Sequence, residues 1–252
     1  MGGAPSPGTI KGVDLGIWWL LEGVRLMCGR YTLTVPTYRL VAELGLDEVR
    51  AEPTQNFNVA PTQSVAVVVA EGGERRLEML RWGLVPSWAD DPEIGSRMIN
   101  ARSETAPEKP SFRSAFRRRR CLIPADGFYE WKREEGGKQP FYFRMKDERP
   151  FAFAGLWESW HDDEVRSCAI LTTQANDLVR DVHERMPVIL PADYYEAWLD
   201  PEAEREELVS LLEPYPGDDL ETFPVSRFVN SPRNNDERCV EPAAGASSSG
   251  TT

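Results

Sequence analysis

Gly127-Phe128-Tyr129-Glu130-Trp131-Lys132 is the stretch on which the fold turns. Its aromatic residues favour a pleated backbone. The Gly136-Gly137 pair just beyond it supplies the positive-φ positions of a hairpin turn. It therefore reads as a strand with a partner following it. Outward from it, Arg120 to Pro124 starts a strand on one side, and Phe141 to Met145, Phe151 to Trp157 and Ser167 to Thr173 follow on the other. Nearer the N-terminus, Tyr31 to Val35, the Val-rich Ser64 to Ala70 and Leu77 to Trp82 read as strands, the last two joined across Gly72-Gly73. Thr37 to Leu46 places Leu40, Val41, Leu44 and Leu46 at amphipathic-helix spacing. Helical patterns also cover Pro191 to Trp198 and Glu202 to Leu212. Asn56 to Pro61 reads as a loop, residues 83–112 as long ordered loops, and Pro224-Val225-Ser226 as a last short strand. The expected fold is α+β, mostly antiparallel, with a barrel-like β core and a few flanking helices.

The 252 residues, 41% hydrophobic, are enough for a sizeable core. A net charge of -12 excludes a general nucleic-acid coat protein, although it leaves room for a local basic groove. Four scattered cysteines (Cys28, Cys121, Cys168 and Cys239) show no zinc or disulfide pattern and suit a reducing cytoplasm. The apolar run Ile17-Trp18-Trp19-Leu20-Leu21 is too short to span a bilayer and lacks signal-peptide flanks. Residues 1–26 are expected to be a leader or start-site extension, 27–241 the single folded domain and 242–252 a disordered tail.

Met27-Cys28-Gly29-Arg30-Tyr31 suggests why the start matters. If translation begins at Met27 and the methionine is trimmed, Cys28 carries a free α-amine beside its thiol. These groups titrate at about 7.7–8.0 and about 8.5, so both reactive forms are available near neutrality. Together they trap an aldehyde, the amine as an imine and the thiolate by closing a thiazolidine ring. With residues ahead of it, the same nitrogen is an amide and cannot do this. Autocleavage at Met27–Cys28, with Glu130 or His183 as base, is a second route to the same N-terminus.

The sequence resembles the SOS response-associated peptidase (SRAP) family of abasic-site processing proteins from Cys28 to roughly Pro242. The resemblance rests on Cys28-Gly29-Arg30-Tyr31, Asn58-Val59-Ala60-Pro61-Thr62, Arg81-Trp82-Gly83-Leu84-Val85-Pro86, Asn100-Ala101-Arg102-Ser103-Glu104-Thr105, Gly127-Phe128-Tyr129-Glu130-Trp131 and His183-Glu184-Arg185-Met186-Pro187. It implies a protein that binds single-stranded DNA at an abasic site and captures the sugar aldehyde covalently. It also implies a cytoplasmic location, nucleoid-associated on damaged DNA. A monomer is expected, without membrane or cofactor.

Implied site residues are Cys28, Asn100, Glu130 and His183. Glu130 can relay the α-ammonium proton, His183 can protonate the sugar oxygen, and Asn100 can orient the cysteine or the sugar. Arg30, Arg102 and Arg185 are expected on phosphates; Met186 stands where some relatives carry arginine. Trp88 and Phe112 are candidates to stack on bases, with Trp82 read as core. Thr172 and Thr173 are expected to line the site, and Arg113, Arg117, Arg118, Arg119 and Arg120 to form a basic patch. A thiol peptidase with possible lyase activity, and a non-covalent reader of damaged single strands, are the alternative readings.

Overall fold

The computed structural model describes residues 29–243. They form two sheets. The smaller contains β1 (Tyr31–Leu33), β3 (Asn56–Val59), β8 (Gly127–Glu134), β9 (Gly137–Met145) and β14 (Leu220–Pro224), in the order β14-β9-β8-β1-β3. The larger contains β2 (Glu48–Val49), β4 (Ser64–Glu71), β5 (Glu74–Trp82), β6 (Asn100–Arg102), β7 (Arg120–Ala125), β10 (Phe151–Trp160), β11 (Val165–Gln174), β12 (Arg185–Pro187) and β13 (Ile189–Leu190). Its main path runs β12-β11-β10-β7-β4-β5-β2.

Pairing is mostly antiparallel. The larger sheet curls until the end of β5 meets β11 through Arg81 with Ser167 and Trp82 with Cys168, which makes it ring-like but not a closed barrel. β4 has Val65 to Val69 buried on both faces, the continuous apolar run of an interior strand. Among the described residues five short α-helices flank the sheets: α1 (Thr37–Leu44), α2 (Arg113–Arg118), α3 (Asp177–Arg180), α4 (Tyr195–Leu199) and α5 (Arg205–Ser210). α1 ends at Gly45, whose φ of 59° is the left-handed conformation that closes a helix at low steric cost. None of the helices among the described residues is long and apolar enough to cross a membrane.

Three local expectations change. Asn56–Val59 is a strand rather than a loop, because its backbone pairs with β1 (Tyr31 with Val59, Leu33 with Asn56). Residues 83–112 contain a 3-10 turn, Pro92–Arg97, whose first turn is capped by Asp91 accepting from Glu93 N at 2.8 Å, and also β6, which lies parallel to β11. The last strand runs over Leu220–Pro224, not Pro224–Ser226, because this segment pairs along β9.

The basic run divides sharply. Arg113, Arg117 and Arg118 lie exposed on α2. Arg119 pairs with the buried Glu158 at 2.7 Å. Arg120 is only 4% exposed and is no part of a surface patch. It donates to the carbonyls of Phe116 (2.8 Å), Arg117 (2.6 Å), Trp198 (2.8 Å) and Asp200. These carbonyls lie at the C-terminal ends of α2 and α4, where helix geometry leaves acceptors without backbone donors. Arg120→Ala strands them and is expected to cost about 3 kcal/mol. Urea denaturation measures this loss; an unchanged midpoint would show that water replaces the guanidinium without penalty.

Candidate functional site

β1 and β8 set one wall of the site. Tyr31 lies opposite Phe128 and Thr32 opposite Gly127, and Tyr129 N donates to Arg30 O at 3.0 Å. Asp126, just ahead of β8, clamps this register. Its buried carboxylate accepts from the Thr32 hydroxyl, from the Thr34 hydroxyl at 2.7 Å and from Val35 N at 3.0 Å. Gly127 is required here because a Cβ would lie 2.1 Å from the Tyr142 hydroxyl oxygen, which hydrogen-bonds Thr32 at 2.8 Å. Along β8, alternation sorts the side chains. Tyr129 packs with Tyr142, Val225, Val229 and Cys239, whereas Phe128 joins the main core. Glu130 follows Phe128's face and is 2% exposed.

Arg30 is held from below. Its Nη1 donates to Asn58 Oδ1 at 2.8 Å and to Val229 O at 3.1 Å, and its guanidinium lies 5.9 Å from the Trp131 ring centroid. Burial pulls its pKa below that of a free arginine. Asn58, 1% exposed, also donates to the carbonyls of Val229, Ser231 and Asn234 at 3.1, 3.0 and 2.8 Å. It thus ties the C-terminal segment to β3 and aims Arg30. Its place in the Asn58-Val59-Ala60-Pro61-Thr62 motif was a sequence signal, but no role could be read from it there.

The second wall is built on β11. Asn100 lies opposite Ile170 and Arg102 opposite Thr172 in the parallel β6–β11 pair, while Gln174 lies opposite Arg185 in β12. Ala101 is in the core, so Asn100 and Arg102 share the other face of β6. Arg102 is exposed. The guanidinium of Arg185 grips Glu104 with both terminal nitrogens, the Nη2–Oε2 contact being 2.9 Å, and donates to Thr172 O at 2.6 Å. Partial burial pushes the Glu104 carboxyl up. The Arg185 hydrogen bond, the local backbone and the charges of Arg185 and Arg102 outweigh this and hold its pKa below the usual carboxylate value. His183 follows α3, and its backbone N donates to Val179 O at 2.8 Å. Its Nδ1 faces the Arg185 backbone, 3.1 Å from N and 3.2 Å from O, which turns the Nε2 edge outward from that loop.

Arg30, Tyr31, Phe128, Phe153, Ile170 and Pro187 line a crevice between the two walls that is too narrow to hold a water molecule. Glu130 lies two residues beyond Phe128 on the same strand face, Asn100 lies across from Ile170, and His183 leads into Pro187. Through Tyr31 and Phe128 against Phe153, β1 and β8 pack on the larger sheet along a seam that β6 and β12 extend on either side of β11, while the Arg30 side chain turns to the other face of β1, toward Asn58 and Trp131. Trp88 is 57% exposed, with its indole N–H donating to Pro110 O at 3.4 Å. Trp82 is in the core, as read. Two residues expected on DNA lie in the interior. Phe112 is 7% exposed and packs in the main core ahead of α2. Thr172 is fully buried, with its backbone carbonyl and its hydroxyl accepting from Arg185 Nη2 at 2.6 and 3.3 Å. Cys28 lies outside the described residues.

This arrangement defines a class: an α+β protein of two packed sheets, with a buried carboxylate on β8 of one and Arg102, Arg185 and His183 on or beside β6 and β12 of the other. Its relatives make the class specific. The profile of the family described as SOS response associated peptidase (SRAP) matches residues 27–232, and the chain belongs to that family. The abasic site processing protein YoqW of Bacillus subtilis (strain 168) is 45% identical over 222 residues, covering 85% of this chain and 99% of that protein. The abasic site processing protein HMCES of Gallus gallus is 34% identical over 233 residues, covering 78% of this chain and 68% of that protein. A crystal structure of a protein from Bacteroides thetaiotaomicron superposes with a TM-score of 0.78 at 28% identity, covering 86% of this chain and all of that one.

Proposed function

We propose that this protein processes abasic sites in single-stranded DNA by covalent capture, with Cys28 as its mature N-terminal residue. The observation that carries this reading is the β1–β8 register. Continued one step beyond Arg30 and Tyr129, it sets Gly29 against Glu130. A trans peptide bond holds the Cα of Cys28 about 3.8 Å from that of Gly29. A buried carboxylate beside an aminothiol is what imine chemistry needs, because the ammonium must lose a proton and the carbinolamine must gain one. The match of the family profile from residue 27, and the names of the relatives, support the same reading.

The reaction balances without a redox partner. The ring-opened sugar presents its aldehyde, and the Cys28 amine adds to it. Water leaves as the imine forms, and the thiolate then adds to the imine carbon while the nitrogen takes up a proton. In this reading His183 protonates the sugar oxygen as the ring opens or the hydroxyl as it departs. Asn100 orients the reacting groups by hydrogen bonding. Arg30, Arg102 and Arg185 supply the positive field for the backbone on either side of the seam.

Intact mass of the protein from its native source tests both halves of the proposal. The expected species begins at Cys28 and, after incubation with abasic single-stranded DNA, gains the mass of the strand less one water. A mass that retains residues 1–27 and forms no adduct overturns the reading.

A further inference from the structure

The Arg185 fork is already occupied by an anion. Glu104 places one carboxylate oxygen on each terminal nitrogen of the guanidinium, the bidentate geometry that arginine also offers to phosphate. The two partners are unequally fixed. The Arg185 side chain is 11% exposed and is tied from behind to Thr172 O, whereas the Glu104 side chain is 44% exposed. Apart from the bond that its carboxylate accepts from its own backbone N–H, the Glu104 turn is held by backbone bonds. Ser103 N donates to Thr172 O at 2.8 Å, and Thr105 N and Ala106 N donate to Arg102 O at 3.1 and 2.8 Å. The carboxylate can therefore swing into solvent without loss of these backbone bonds. Arg102, two residues earlier and exposed, keeps the vacated position electropositive.

We infer that Glu104 competes with DNA: its carboxylate fills the Arg185 fork in the unbound protein and is displaced by a backbone phosphate when a strand enters the seam. The inference rests on the proposed reading of Arg185 as a phosphate contact. It makes Glu104 a determinant of affinity that touches neither the lesion nor Cys28. The exchange leaves the guanidinium paired throughout, so each strand must outbid an internal carboxylate. Contacts elsewhere in the seam then decide which strands do so.

The test is equilibrium binding of a short fluorescent single strand carrying tetrahydrofuran, a stable abasic analogue without an aldehyde, so that covalent capture does not enter. Glu104→Gln and Glu104→Ala are expected to tighten binding about twofold to fivefold, the range set by an exposed ion pair. The salt dependence is expected to steepen by about 0.7 in log–log slope, as for one more net phosphate contact on a single strand. Arg185→Lys keeps the charge but loses the fork. It is expected to weaken binding and to erase the gain when combined with Glu104→Gln. If both Glu104 variants bind unchanged or more weakly while Arg185→Lys weakens binding, Glu104 orients the arginine rather than competing, and the inference falls while the phosphate reading stands. If Arg185→Lys leaves binding unchanged, both fall.

Discussion

Cys28→Ala, in a protein whose translation starts at Met27, is expected to abolish the heat-stable adduct with abasic single-stranded DNA. Alanine is also exposed by methionine removal, so the α-amine survives and an imine still forms. Without a thiol, nothing closes the ring. The adduct should then vanish on dilution or heating and persist only when borohydride reduces the imine. Non-covalent affinity for a tetrahydrofuran-containing strand should stay within about twofold, as for a small substitution away from the phosphate contacts. This pattern separates the two bond-forming steps: the amine captures and the sulfur locks. A stable adduct from Cys28→Ala without reductant would refute the thiazolidine. A variant that carries any residue ahead of Cys28 should lose both steps, because its nitrogen is an amide.

Glu130→Gln is expected to slow adduct formation by about 10²–10⁴-fold, the usual worth of positioned acid–base catalysis. The side chain is 2% exposed on β8, and glutamine matches its shape while losing the exchangeable charge. Binding of the tetrahydrofuran strand should be retained, so that the loss falls on the rate at saturating DNA rather than on affinity. Glu130→Asp, one methylene shorter, should recover part of the rate and retain its dependence on pH. Single-turnover gel assays across pH measure this. A Glu130→Gln protein that reacts at the wild-type rate would reduce Glu130 to a structural residue. Equal losses of affinity and rate would place it in DNA binding instead.

Much of this molecule was legible before its structure. The hairpin β4–β5 across Gly72-Gly73 and the hairpin β8–β9 across Gly136-Gly137 lie where the glycine pairs placed them, because those turns need positive φ, and all four glycines adopt it. α1 follows its Leu40 and Leu44 spacing. What sequence could not show was pairing between distant segments. Asn56–Val59 carries turn-type residues yet forms a strand, because β1 offers it a ladder. β6 lies in a stretch rich in turn formers for the same reason, with β11 as its partner. Local propensity is weak beside the hydrogen bonds that such an edge supplies.

The site divides along the same line. The sequence by itself determined the residue types from which the proposed chemistry is drawn: Cys28, an aminothiol if it leads the chain, Glu130 and His183 in ordered motifs, and the arginines. These follow from residue type and order, which need no coordinates. Only the tertiary structure decided which charges are available. Arg120 spends its donors on the ends of α2 and α4, Arg119 is bound to Glu158, and Arg185 holds Glu104, although each reads in one dimension as a free cation. Phe112 and Thr172 likewise moved from surface to interior. The physical reason is that a charge or ring is assigned its task by the unsatisfied carbonyls, carboxylates and apolar surface that folding brings to it. Those neighbours come from distant elements, 81 residues away for Glu104 and Arg185 and 199 for Val229 and Arg30.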